Sequence, residues 1–369
     1  MKSWKLEYLK GLVDSLSVNE KRYFKLMTDE SKSKNYLKIF DALAKNASER
    51  ELKGSLLDSK INLSYEKSYL IKLILRSLRN FNEENSLENT LHQALIDVET
   101  LLDKQMVTFC CEFIDYYMEI AKKFQLFSFQ LQFLKKKRKC VMRMGNIQKQ
   151  ADFIEEEYEW EMDCLNKMAN IAEYKRLQKK AVVLISQKGN SFMEEDKKLL
   201  KSLGEHPLMK DVSLALSVYA KMHFYEIKIW CNYYDDNYEE AYFYSSEMIK
   251  IIEDSNFIFN AFPQMYLAVY ANHYSRAYKL DKYEELDGIL EKIDRLASAK
   301  NTEIPRVIKH EAFSYSSERK LIFYANHDQF EKCIEQFLAN KKVFATNIKN
   351  FKPAYLILQH YFAAYAYFH

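Results

Sequence analysis

Histidine, cysteine and glycine often carry catalysis, metal binding or phosphate binding, and in this 369-residue chain they are scattered. The 6 glycines form neither a G-x-G-x-x-G nor a Walker pattern, and no H-E-x-x-H or G-x-S-x-G occurs. His223 and Glu226 share one helical face, but a single pair does not make a metal site. A Cys–His nucleophile is the one arrangement that spacing leaves open. We therefore predict a non-enzyme with no catalytic, cofactor or metal site.

A basic helical face near the N-terminus could bind nucleic acid. The helix predicted over residues 64–81 places two tyrosines and three cations on one face, namely Tyr65, Tyr69, Lys72, Arg76 and Arg79. Such cations pair with phosphates, and residues 1–82 carry a net charge of +7. Three helices over 35–81 could imitate a helix-turn-helix reader. The interpretation we favour is a solvated face, because charge stripes are common on surface helices.

A second basic segment, KKKRK at residues 135–139, could bind nucleic acid or a membrane surface. It lies in the middle of a predicted helix, and four glutamates occupy positions 155–159 of the next one. Antiparallel pairing would bring the two groups of charges together. We therefore expect mutual neutralisation.

The elements that position these residues are helices. Only 6 Gly and 4 Pro occur, whereas sheet-rich folds need frequent turn residues. Hydrophobic periodicity predicts helices over 3–14, 18–28, 34–45, 48–57 and 64–81, then over 86–102, 107–124, 126–144, 148–168 and 173–186. Three capping boxes are predicted, beginning at Ser17, Ser48 and Ser191.

Internal repetition is the clearest pattern in the second half. Three segments read Asp-x-aromatic-Glu-(Glu/Lys)-small or apolar: DNYEEA at 236–241, DKYEEL at 281–286 and DQFEKC at 328–333. The Asp is expected to close a turn and cap the next helix, and the aromatic ring to enter the groove between two helices. Cys110 and Tyr174 are candidates for degenerate units. The four prolines, each before or at the start of an apolar run, repeat at similar intervals: Pro207, Pro263, Pro305 and Pro353.

Segment 236–241 resembles the turn and second-helix start of tetratricopeptide repeats, and the resemblance covers three units over roughly 205–340. The units are longer than the ~34 residues of that family, and Leu286 and Cys333 replace the expected Ala. The resemblance implies an all-α fold, a right-handed α-solenoid of antiparallel helix pairs whose first helices line a concave face. Residues 17–26 also resemble a block of uncharacterised bacterial helical-repeat proteins, which implies no activity.

The expected organisation is a basic helical domain over 1–82, irregular hairpins over 83–204 and tetratricopeptide-like repeats over 205–369. Mapping the repeats turn to turn places nine residues on the concave face: His223, Glu226, Trp230, Tyr234, Tyr278, Lys279, Tyr315, Glu318 and Arg319. We expect a non-enzymatic scaffold or adaptor that binds an unidentified protein or peptide segment. The alternative is a nucleic-acid-binding regulator with a helix-turn-helix-like head (Lys72, Arg76, Arg79) and a repeat sensor domain.

The ends of the chain and its charge-free stretches lead to two further expectations. No signal peptide is recognisable, and the stretches 255–275 and 353–369 are too polar or too short to cross a bilayer, so a cytoplasmic location without membrane insertion is expected. The next turn motif is due near residue 375, past His369. We expect a truncated last unit, with the alternative that another chain covers Tyr361, Tyr365 and Phe368.

Overall fold

The computed structural model describes residues 5–28, 35–45, 63–81, 87–145, 147–188, 191–255, 257–300, 304–347 and 351–368. Every regular element within these ranges is helical. The all-α prediction is therefore confirmed for the described residues. The chain forms two compact units, Met1–Asn89 and Thr90–His369.

The first unit contains α1 (Leu6–Ser15), α2 (Val18–Thr28), α3 (Asn35–Ala44) and α4 (Leu63–Phe81). Apolar side chains from each of them are fully or almost fully buried in one core, including Leu9, Phe24, Phe40, Leu70 and Ile74. The predicted capping box forms, since the Ser17 N–H donates to the Glu20 carboxylate at 2.7 Å. The Glu20 N–H donates in return to Ser17 Oγ at 3.3 Å. The box predicted at Ser48 and the helix predicted over 48–57 lie outside the described residues.

The second unit begins within α5 (Leu87–Asp103) and continues through α6 (Val107–Lys123), α7 (Phe127–Arg143), α8 (Ile147–Lys188) and α9 (Glu194–Gly204). Two 3₁₀ turns, Pro207–Met209 and Val212–Leu214, lead into α10 (Val218–Tyr234), α11 (Tyr238–Asp254), α12 (Ile258–Ala261), α13 (Pro263–Lys279), α14 (Tyr283–Ala297), α15 (Arg306–Asn326), α16 (Phe330–Asn347) and α17 (Pro353–Phe368). Successive long helices pack together from α6 to α8 and from α10 to α17, with α8 also packing on α10. A continuous core runs through α10, α11, α13, α14 and α15.

Five helix–helix turns share one backbone geometry. Each contains one left-handed residue, with φ between 52° and 59°: Gln105, Gln125, Asp236, Asp281 and Asp328. In each turn the N–H of the following residue donates to the carbonyl five positions earlier, at 2.8–3.0 Å, which closes the preceding helix. The fifth residue after the left-handed one is buried every time: Cys110, Gln130, Ala241, Leu286 and Cys333. Cys110 therefore occupies the position equivalent to Ala241, Leu286 and Cys333, whereas Tyr174, the other candidate, lies inside a continuous helix over Ile147–Lys188 and follows no such turn.

The aspartates of the motif close the preceding helix and do not cap the following one. The N-cap of α11 is Asn237, whose side chain accepts the Glu240 N–H at 3.3 Å. The Asp236 carboxylate instead accepts the Tyr238 hydroxyl at 2.8 Å, and Asp281 accepts the Tyr283 hydroxyl at 2.5 Å. The predicted capping role is wrong because the left-handed residue precedes the N-cap by one position.

One long helix, α8, replaces the two helices predicted over 148–168 and 173–186. The intervening Asn170 does not break the helix, because its side chain forms hydrogen bonds with another segment of the chain and does not compete for the backbone of its own helix. Its amide donates to the Leu214 carbonyl at 3.0 Å and accepts the Leu216 N–H at 3.0 Å. These two bonds attach the connector before α10 to the middle of α8.

Two predictions about helix starts near this connector are also wrong. Ser191 does not open a capping box; α9 has Met193 as its N-cap, and the Met193 N–H donates to the Asp196 carboxylate at 3.1 Å. Pro207 opens only a 3₁₀ turn, and α10 begins at Val218 behind the N-cap Ser217. The other prolines stand at the starts of α13, α15 and α17, as predicted.

Four of the five cations of the basic segment at 135–139 form ion pairs, but mostly with carboxylates other than the predicted glutamates. Its ion pairs join Lys136 and Lys139 to Glu99, Lys137 to Asp115, and Arg138 to Glu157 and Glu161. Only Glu157 belongs to the predicted group of glutamates. The segment is thus a junction between α5, α6, α7 and α8.

Candidate binding cavity

A cavity of about 660 Å³ opens between α10, α11, α13 and the start of α15. Most of its wall is apolar, formed by Tyr219, Met222, Ile229, Trp230, Met248, Phe262, Met265, Val269 and Ile308. Ligand sites of proteins are usually concave and largely apolar, with a few polar groups that fix the orientation of the ligand. This cavity has that character.

The polar groups of the cavity include both acceptors and donors. His223 Nδ1 lies 3.3 Å from the Glu226 carboxylate, on the face of α10 that lines the cavity. Across from α10, the side chains of Gln264, Asn272 and Arg276 line it from α13. A ligand that carries both N–H and C=O groups could therefore be bonded from both sides.

Arg276 is the unusual residue of the cavity. Its Nη1 donates to the Asn272 carbonyl at 2.7 Å, whereas its Nε is buried and has no hydrogen-bond partner among the described residues. No described carboxylate forms an ion pair with it, and burial lowers the pKa of the guanidinium to about 10, against the opposing influence of nearby groups such as Glu226. Because buried donors are normally satisfied, the Arg276 Nε is a candidate donor to a group that enters the cavity.

Neighbouring elements hold the start of α10 in place beside the cavity. The Tyr219 hydroxyl donates to the Phe124 carbonyl at 2.9 Å, and the Val218 N–H donates to the Gln125 side chain at 2.9 Å. Gln125 is the left-handed residue of the α6–α7 turn. One wall of the cavity is therefore fixed by a turn almost a hundred residues earlier in the chain.

Ser245, which lines the cavity, contacts His273 of α13. Ser245 Oγ lies 2.7 Å from His273 Nδ1 and also donates to the Tyr242 carbonyl at 2.9 Å. The hydroxyl can donate its one proton to either partner, so the imidazole tautomer determines the direction of the Ser245–His273 bond. Burial lowers the pKa of His273 to about 4, so the ring is neutral at pH 7. The pair joins α11 to α13.

Three of the nine predicted concave residues, His223, Glu226 and Trp230, line the cavity. The other six make contacts elsewhere. Tyr234 stacks on Phe192 with ring centroids 4.2 Å apart, and Lys279 lies 4.9 Å from the Tyr238 ring centroid. The Tyr278 hydroxyl accepts a hydrogen bond from Asn326, and the Tyr315 hydroxyl donates to the Ala271 carbonyl. Arg319 stacks on the Tyr315 ring and lies 4.0 Å from the Glu318 carboxylate.

The part of the cavity that α13 supplies was not predicted from the sequence. Counted back from the left-handed residue, Tyr219 and Gln264 stand 17 positions before Asp236 and Asp281 respectively, and both line the cavity. The offsets of His223, Glu226 and Trp230 from their turn lead on α13 to Ala268, Ala271 and Ser275, of which only Ala268 lines the cavity. Tyr278 and Lys279, which were predicted on α13, belong to its last turn.

The basic face of the first unit is exposed on α4. Lys72, Arg76 and Arg79 are exposed and form no ion pair with a described residue. Tyr65 and Tyr69, on the same face, stack on each other with centroids 6.1 Å apart.

In the ranges that the structure describes, no group of three or more His, Cys, Asp or Glu side chains could hold a metal ion. No helix there is long and apolar enough to span a bilayer. Comparison of the chain with protein-family models, with curated proteins and with solved structures finds no match.

Proposed function

We propose that this chain is a non-enzymatic interaction module that holds an extended segment of a partner protein in the cavity. An apolar side chain of that segment would lie among Met222, Met248, Met265 and Val269. Its backbone would donate to Glu226 and accept from Asn272 and Arg276. The observation that carries the proposal is the buried Nε of Arg276, which has no hydrogen-bond partner among the described residues and lies in the wall of a mostly apolar cavity.

The expected energies favour a short peptide. Burial of one large apolar side chain contributes roughly 1.5–3 kcal/mol. A hydrogen bond to the charged guanidinium contributes about 1.5–3 kcal/mol. Association costs at least about 4 kcal/mol, so several such contacts are needed for micromolar affinity. A segment that fills the cavity and continues along α10 and α13 meets this requirement better than one isolated side chain.

We also propose that the helix pairs form a tetratricopeptide-like α-solenoid, in a protein of the reducing cytoplasm. Support for the repeat comes from the five turns of equal backbone geometry and the buried position that follows each. Support for the location comes from the six cysteines, all of which are free thiols.

A phage-displayed library of random dodecamer peptides, selected against the purified chain, tests the proposed function. Enriched peptides are expected to share a large apolar residue, and their affinity is measured by fluorescence anisotropy. Met248→Arg, which fills the cavity with a second cation, should weaken the enriched peptides at least about tenfold. Trp230→Ala should weaken them as well, because it removes part of the wall.

Phe243→Ser provides the matched control, since Phe243 lies on α11 with Met248 but is 52% exposed and does not line the cavity. It should leave peptide affinity unchanged. Equal affinity of the enriched peptides for the parent chain and for Met248→Arg would refute the cavity as the binding site. A library that enriches no peptide would refute peptide binding itself.

The exposed cations of α4 support a second candidate function, a nucleic-acid-binding regulator whose head carries Lys72, Arg76 and Arg79. A gel-shift titration with duplex DNA and with single-stranded RNA tests it. Binding should fall steeply with salt and weaken with Arg76→Glu plus Arg79→Glu. Absence of a shift at low ionic strength would eliminate this candidate.

A further inference from the structure

A second groove, of about 960 Å³, lies between the C-terminal part of α8 and α9. Its floor is aliphatic and includes Val183 and Leu184 of α8 with Leu199 and Leu203 of α9. Val183 is 53% exposed and Leu199 is 54% exposed, so the floor presents apolar side chains to solvent. Contiguous exposed apolar surface often marks an interaction site.

Four cations of α8 line the same groove, namely Lys175, Arg176, Lys179 and Lys180. Arg176 pairs with Glu173 at 2.8 Å, whereas the three lysines form no ion pair with a described residue. None of the described residues that line the groove is acidic. Uncompensated positive charge therefore stands beside an exposed aliphatic floor.

The other basic segment of the same unit provides a comparison. At residues 136–139 each of the four cations pairs with a carboxylate of a neighbouring helix, so those charges stabilise the contacts of α7. The cations at 175–180 have no such partners on α9 or α10. Their charge is therefore not used in packing between the described helices, and it is available to a partner of opposite charge.

We infer that this groove binds an acidic amphipathic helix of a partner protein. The α8 residues that line it run from Ala172 to Gln187, which corresponds to about 22 Å, or roughly four helical turns. A helix of that length can place apolar side chains at positions i, i+3, i+4 and i+7 on Val183 and Leu199. Its flanking Glu and Asp side chains then meet Lys175, Lys179 and Lys180.

The recessed, aliphatic floor of the groove favours an acidic helix over nucleic acid or an anionic membrane surface. Single-stranded nucleic acid is usually bound by aromatic side chains on which bases stack, and no aromatic residue is among the described residues that line the groove. A bilayer surface is flat, whereas the floor is recessed between two helices. An acidic amphipathic helix has a convex apolar side that can cover Leu199 and acidic flanks that can pair with the lysines.

The test uses the full chain and a fluorescein-labelled, helix-forming peptide of about 16 residues, with Leu at the four apolar positions and Glu on both flanks. Fluorescence anisotropy is measured at about 50 mM and about 300 mM salt. We expect binding that weakens with salt. We also expect a loss of about 30-fold or more with Lys175→Glu, Lys179→Glu and Lys180→Glu combined, because three favourable charge contacts become repulsive.

Two further variants separate charge from shape. Lys135→Glu, Lys341→Glu and Lys342→Glu combined change the net charge equally, at exposed positions of α7 and α16, and should leave affinity within about threefold. Val183→Ser with Leu199→Ser keeps every lysine and should still weaken binding about tenfold, because the apolar contacts are lost. Circular dichroism verifies the helix content of each variant.

Three outcomes would overturn the inference. The first is no binding of the peptide at about 100 µM, a concentration that detects even weak helix-in-groove complexes. The second is equal binding of a peptide with the same composition in scrambled order, which is not amphipathic. The third is tighter binding of duplex DNA or of phosphatidylserine vesicles than of the peptide, which would assign the cations to those partners.

Discussion

Acidification from pH 7 to pH 4 should destabilise the second unit through His273. The imidazole is 6% exposed, and burial lowers its pKa from the ordinary 6.5 to about 4. The unfolded chain therefore takes up a proton below pH 6.5 that the folded chain refuses. The contribution to stability is fully present above pH 6.5 and is lost as the pH falls towards 4.

The size of the effect follows from the two pKa values. The wild-type free energy of unfolding should fall by about 2 kcal/mol at pH 5 and by about 3 kcal/mol at pH 4 from this histidine alone. Carboxylates that titrate in the same range add to the loss. A comparison with His273→Gln isolates the histidine, because that variant keeps all the carboxylates and a polar side chain near Ser245.

Urea titrations followed by circular dichroism at a series of pH values measure the free energy of unfolding. At pH 7.5 His273→Gln should be less stable than wild type, and at pH 4 the difference should be smaller by about 3 kcal/mol. His360→Gln, at an exposed position of α17, keeps His273 and should retain the wild-type pH dependence. Parallel curves for wild type and His273→Gln would refute the reasoning.

Three further predictions concern stability. Gly204→Ala places a Cβ 2.8 Å from Cys231 Sγ and should lower the free energy of unfolding by about 1–3 kcal/mol in chemical denaturation. Adding Cys231→Ala should restore most of that free energy, and strictly additive losses in the double variant would contradict the clash. Gln105→Gly removes the left-handed penalty at φ 59° and should raise the free energy of unfolding by about 1 kcal/mol in a urea titration. An unchanged or lower free energy of unfolding would contradict this reasoning. Arg276→Met removes a guanidinium whose buried Nε has no partner among the described residues, and it should stabilise the free chain by about 1–2 kcal/mol in thermal denaturation while weakening peptide capture. A destabilised variant would mean that Arg276 is part of the packing.

Hydrophobic periodicity predicted most of the helices, because an amphipathic helix shows its buried face in the spacing of its apolar residues. The turns were recognised only where Asp marks them. Asp tolerates the left-handed conformation at 236, 281 and 328. The role of Asn170 could not be predicted either, because its hydrogen-bond partners Leu214 and Leu216 lie 44 and 46 residues away in the sequence.

The cavity was only partly predictable for a related reason. His223, Glu226 and Trp230 stand on α10, where the offset from the turn was chosen correctly. The contribution of α15 comes from its first turn, at Val307 and Ile308, far from the turn motif at 328. A cavity that crosses successive helices at different heights cannot be located by one fixed offset, because helix length and tilt determine which residues meet.

The undivided α8 has a practical consequence for dissecting the chain. Its 42 residues correspond to about 63 Å of helix, with Cys164 buried in the first half and Tyr174 and Leu177 buried in the second. A fragment boundary placed at the apparent break near Asn170 would leave each fragment with half of the helix, and the apolar face of that half would be exposed to solvent. Shorter fragments should therefore begin or end outside Ile147–Lys188, because helices on both sides pack against this helix.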